Sequence, residues 1–144
     1  MRWCAMADDG RHARWAGIVA GARACVGARF RPQGRGPGDY DCVGVVLAAA
    51  EAAGIGLGAW DGYDWRHASA AMVRRGLRAA GLVMRDGAGV AGDVGWAAPG
   101  GSQHLVVRGE ATVIEADATR RRVVERGLLP GDGACGWWRL PEGE

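Results

Sequence analysis

Cys42 follows Asp41 at the point where a loop dense in Gly, Pro and Arg gives way to the Ala/Val-rich run Val43 to Ala53. This pattern predicts a cysteine in the first turn of a helix. There, unpaired N–H groups and the positive end of the macrodipole stabilise a thiolate over a thiol. A thiolate is a nucleophile, whereas a buried cysteine elsewhere is ordinarily a small hydrophobe. A nucleophilic cysteine needs a base, and the base needs a third group to orient its ring. The chain has three histidines. His12 in a leading polar helix and His67 at the start of a later one read as surface or capping residues. His104 falls in Gln103 to Arg108, a Val-rich run of strand character. If Gly109-Glu110 is a two-residue type II′ turn, Arg108 faces Ala111 and His104 faces Glu115, with Cβ atoms about 4.5 to 5.5 Å apart. A one-residue slip would turn Glu115 to the other face, and a longer loop would bring Asp117 forward in its place.

The elements that must position these groups follow from period and punctuation. Asp8 to Gly27 reads as an amphipathic helix, with Trp15, Ile18, Val19, Ala22 and Val26 on its apolar face. Residues 28 to 40 carry too many breakers for anything but a loop. A second helix is expected from Cys42 to Ala53, stopping at Gly54, and a third from His67 to Ala80, capped by Gly81. Between them Trp60, Tyr63 and Trp65 either line a cleft or close the core over the helices. The second half changes to short strands at 93–97, 103–108, 111–116, 122–126 and 136–140. Helices followed by strands, without βαβ alternation, predict an α+β fold with a helix packed on an antiparallel sheet.

At 144 residues the chain is expected to form one domain, with a core of about 13–140. A net charge of +2 argues against nucleic acid as a partner. No run reaches the roughly 20 apolar residues of a membrane span, so no membrane insertion is expected. The four cysteines show no zinc spacing, so no metal and no cofactor are expected and free thiols are favoured. Met1 to Gly10 lacks the character of a secretory signal, which predicts synthesis in the cytoplasm without export by that route.

Taken together, GDYDCVGVV at residues 38–46, Gly92-Asp93-Val94, Gln103-His104-Leu105-Val106-Val107 and Val113-Ile114-Glu115-Ala116-Asp117 resemble the NlpC family of papain-like cysteine peptidases. The similarity is greatest to its short members in phage tails and gene transfer agents, and it covers residues 13 to 140. The resemblance implies Cys42 as nucleophile, His104 as base and Glu115 as the third polar residue. It implies hydrolysis of an amide bond in peptidoglycan stem peptides by a protein carried in a virion tail, with tail hub proteins as partners. Asp41 would bind the substrate's amine or shape the turn, unless it is simply the helix N-cap. Phe30 stands where the family often has a tyrosine near the substrate. Arg35, with Arg29 and Arg31, could clamp substrate carboxylates, or belong to a solvated loop. The chain departs from the family pattern in having Glu115 where histidine is common and Val43 where serine follows the cysteine. Those departures are what a noncatalytic tail-tip or assembly protein would display, and an amidase or transferase would use the same Cys-His pair.

Overall fold

The computed structural model describes residues 2–57 and 67–142, with side chains from residue 13 onward. Trp60, Tyr63 and Trp65, and the side chains of Cys4 and His12, lie outside the described residues.

Helix α1 (Arg2–Arg23) turns Ile18, Val19 and Ala22 into the core, and the chain leaves it through Gly27 at φ 92°. That backbone conformation is left-handed, where glycine carries no Cβ penalty. Two two-residue strands follow, β1 (Arg29–Phe30) and β2 (Asp39–Tyr40), paired in parallel. Helix α2 (Cys42–Ala52) is buried over most of its surface. Its β-branched valines are modest helix formers, so its stability comes from packing. It lies against α1 on one side and against the sheet on the other. The helix pair approaches closely because small residues face each other: a Cβ on Gly21 would stand 2.5 Å from Ala52 Cβ.

Helix α3 (Ala70–Ala79) is capped by Ser69, whose hydroxyl accepts from Met72 N, and it buries Val73 and Leu77. The remaining strands are β3 (Val83–Met84), β4 (Val94–Ala97), β5 (His104–Arg108), β6 (Thr112–Asp117), β7 (Arg122–Gly127) and β8 (Trp137–Arg139). With β1 and β2 they form one eight-stranded sheet in the order β2-β1-β7-β6-β5-β4-β8-β3, antiparallel except for β1 with β2. The predicted α+β class, with the cysteine-bearing helix against an antiparallel sheet, is the observed one.

Three expectations are corrected. Residues 28–40 contain strands β1 and β2, because Arg29 pairs with Arg122, a partner distant in sequence that local composition cannot reveal. The third helix begins at Ala70, since Ser69 and not His67 supplies the cap. The β5–β6 turn is longer than the two-residue hairpin: Gly109 N donates to Thr112 O at 2.8 Å, and Arg108 stands opposite Val113 instead of Ala111.

Candidate active site

Asp41 stops the extended chain and starts α2. Its Oδ1 accepts from Gly44 N at 2.7 Å, the N-cap bond that satisfies an otherwise orphaned donor, and Cys42 is thereby the first helical residue. The loop before it is drawn over the helix start. Oδ2 of Asp41 accepts from Gln33 N at 3.0 Å, and Gly34 O accepts from Asp41 N at 3.1 Å. Gln33 takes a left-handed conformation, φ 60°, to make this approach.

His104 opens β5, and its ring lines the same cavity as the Cys42 side chain at the start of α2, near enough for the two to interact electrostatically. On the other side, His104 Nε2–H donates to Glu115 Oε2 at 2.7 Å. An ionised carboxylate only accepts, so Nε2 carries the proton and Nδ1 is the nitrogen left for the thiol. The partner is Glu115 even though the register differs from the one expected. The longer turn shifts the pairing by two residues, which places Asp117 nearer the position opposite His104 and Glu115 on the diagonal. Side chains repeat every two residues along a strand, so a shift of two leaves Glu115 on the His104 face. Asp117 turns into its own loop, where Oδ1 accepts from Thr119 N at 2.9 Å and Arg120 N at 3.1 Å.

The electrostatics of the pair are strong. Burial opposes charge on His104, but the hydrogen bonds to Cys42 and Glu115 outweigh it and raise its pKa to about 9. Burial likewise opposes the Glu115 carboxylate, and the hydrogen bonds from His104 and Arg126 outweigh it, lowering its pKa to about 2. An imidazolium beside a carboxylate is the favoured state at neutral pH.

A cavity of about 310 Å³ opens over these groups, lined by Phe30, Gln33, Asp41, Cys42, His104 and Glu115 among others. Phe30 is among the lining residues of this cavity. Arg35 is not among its lining residues: its guanidinium donates to Asp41 Oδ1 at 2.6 Å and to Gly34 O at 3.1 Å, so it braces the cap instead of presenting a free clamp. Arg31 is similarly turned to Asp39, at 3.3 Å. Val43, where a serine was expected from the resemblance, is fully buried in the core and offers nothing to a ligand. Cys25, Cys42 and Cys135 are free thiols, and of these Cys42 alone lines the cavity. Among the described residues no cluster of His, Cys, Asp or Glu is arranged to hold a metal ion.

Two contributors escaped the sequence reading. Arg126 holds Glu115 from β7, and Gln103 is buried beside His104, accepting from Trp96 Nε1 at 2.7 Å and donating to Ala68 O at 3.1 Å. Nothing in the sequence sets Arg126 apart from the other charges of its strand, Arg122 and Glu125, which solvent exposure explains equally well.

The chain matches no family model and no curated protein. Solved structures do share its fold. The P60 domain of antigen MAP1204 from M. avium subspecies paratuberculosis is 16% identical, covering 91% of this chain and 97% of that one, with a TM-score of 0.58. The peptidoglycan hydrolase RipB from Mycobacterium tuberculosis is 18% identical, covering 91% of this chain and 66% of RipB, with a TM-score of 0.59. The NlpC/p60 domain of the peptidoglycan hydrolase SagA is 24% identical over 78% of this chain and 88% of that domain, with a TM-score of 0.51. The fold is therefore the NlpC/P60 form of the papain-like architecture.

Proposed function

We propose that this chain hydrolyses an amide bond in the peptide stems of peptidoglycan, with Cys42 as nucleophile, His104 as acid and base, and Glu115 as the group that orients the ring. The observation that carries this reading is the Cys42 side chain and the hydrogen-bonded His104–Glu115 pair lining one cavity at a helix start. The choice of substrate draws on the fold shared with RipB and the SagA domain, both peptidoglycan hydrolases.

The Cys42 thiolate attacks the scissile carbonyl, forming the C–S bond as the carbonyl electrons move to oxygen. The helix start supplies donors for that oxyanion. Asp41 takes Gly44 N–H with its carboxylate and Val45 N–H with its carbonyl oxygen. The N–H group of Cys42, which lines the cavity, is the first-turn donor that remains to meet it. As the C–N bond breaks, His104 gives its proton to the leaving amine. Neutral His104 then removes a proton from water as its oxygen attacks the acyl carbon, and the C–S bond breaks to release the carboxylic acid and the Cys42 thiolate beside the imidazolium, the starting state. Glu115, ionised throughout, steadies the imidazolium in both half-reactions.

The narrower reading as a virion tail component has no support in the fold or in these three neighbours, and the proposal stops at the cell wall. The test is incubation of the wild type and Cys42→Ala with defined stem peptides, with products read by mass spectrometry. Cleavage by the wild type that disappears in the variant is expected. A folded wild type that cleaves no stem peptide overturns the reading.

A further inference from the structure

Beyond Glu115 the line of charge continues. Arg126 donates from Nε to Glu115 Oε1 at 2.8 Å and from Nη2 to Oε2 at 3.2 Å. The same guanidinium donates to Asp132, from Nη1 to Oδ2 at 3.0 Å and from Nη2 to Oδ1 at 2.7 Å. Asp132 is itself tied to its loop, Oδ2 accepting from Leu129 N at 2.8 Å. The side chains of Glu115 and Asp132 are only 8% and 9% exposed. Two buried carboxylates are tolerable because one planar guanidinium lies between them, meeting each with two N–H groups.

The strand register explains the placement. Glu115 stands opposite Val124 on β7, so Arg126, two residues on, is its diagonal neighbour on the same face. The sharing of Glu115 is uneven. Oε1 is held by Arg126, whereas Oε2 serves both Arg126 and His104. A carboxylate bound only through Oε2 to His104 could rotate; one with Oε1 fixed cannot leave the ring without breaking its contact with Arg126.

We infer that Arg126 is a positioning residue, with Asp132 as its own anchor, that fixes the Glu115 carboxylate in ionisation and direction so that it meets His104 Nε2. This rests on the reading of Cys42, His104 and Glu115 as the reacting group. Among the described residues the charged or titratable groups near the ring are Cys42 on α2, Glu115 and Asp117 on β6, and Asp41 at the cap, with Arg126 reaching it through Glu115. The sign of the effect is diagnostic. Arg126 repels an imidazolium, so deleting its charge with Glu115 unmoved would raise the His104 pKa. Releasing Glu115 would lower it.

The experiment is an NMR titration of the His104 ring in the wild type, Arg126→Gln, Glu115→Gln, the double variant and Asp132→Asn, with folding checked by circular dichroism. Arg126→Gln is expected to lower the His104 midpoint by about one unit or more. Glu115→Gln should lower it at least as far, and the double variant no further, because Arg126 acts through Glu115. Asp132→Asn should shift it the same way by less. An unchanged or raised midpoint in folded Arg126→Gln, or additive shifts in the double variant, overturns the inference. Should Arg126→Gln not fold, Arg126→Lys takes its place under the same criteria, since a lysine ammonium lacks the guanidinium fork needed to grip both carboxylates. No substrate enters the titration, so its answer is separate from whether stem peptides are cleaved.

Discussion

Gly44, two residues into the helix from Cys42, tests whether the loop over the helix start is held by close backbone contact. A Cβ built on it would stand 2.2 Å from Gly34 O, more than 1 Å inside an ordinary contact of about 3.5 Å. The obstacle is a backbone carbonyl, so no side-chain rotation relieves it. Forcing an extra methyl into a packed site costs about 1–3 kcal/mol. Moving Gly34 O also disturbs the bond it accepts from Asp41 N, worth about 1 kcal/mol. Against this, alanine gains up to about 1 kcal/mol over glycine inside a helix. The clash wins, and Gly44→Ala should be destabilised by about 1–3 kcal/mol. Urea unfolding followed by fluorescence of the seven tryptophans measures it. Gly17→Ala is the control: its Cβ would meet Ala53 Cβ at 3.7 Å, an ordinary contact, so propensity alone should stabilise it by about 0.5–1 kcal/mol. A Gly44→Ala protein as stable as the wild type, alongside a stabilised Gly17→Ala, would refute the reasoning.

Asp41→Ala removes the N-cap of α2 and should cost about 1–2 kcal/mol, while Asp41→Asn, which can still accept from Gly44 N, should recover most of that. Equal losses in the two variants would show that the Arg35 ion pair, not the cap, dominates. For pH, the Glu115 carboxylate lowered to about 2 from 4.5 contributes stability that is full above pH 4.5 and lost as pH falls toward about 2. The difference is on the order of 3 kcal/mol, so the stability gap between wild type and Glu115→Gln should close over that acidic range in urea unfolding. His104, raised to about 9 from 6.5, contributes stability present below pH 6.5 and lost as pH rises through about 9. The same ion pair underlies both limbs, so a His104→Ala protein that keeps the alkaline decline would contradict the assignment.

What the sequence alone determined is what local chemistry controls. Asp41 before an Ala/Val-rich run is an N-cap wherever the helix packs, so the placement of Cys42 at the helix start was legible from a few residues. Strand periodicity was nearly as informative. Glu115 meets His104 although the strand register lies two residues from the one a two-residue turn predicts, because a two-residue shift preserves the face. Only the tertiary structure decided the rest. Strands β1 and β2 are two residues each; β1 exists because β7 offers it an edge, and β2 adds to β1. Arg35 reads as a loop cation until its contact with Asp41 is seen. Arg126 and Asp132 look like surface charges until β7 and the loop after it carry them to Glu115. Hydrogen bonds and ion pairs between buried side chains depend on where distant segments meet in space, and spacing along the chain does not encode that meeting.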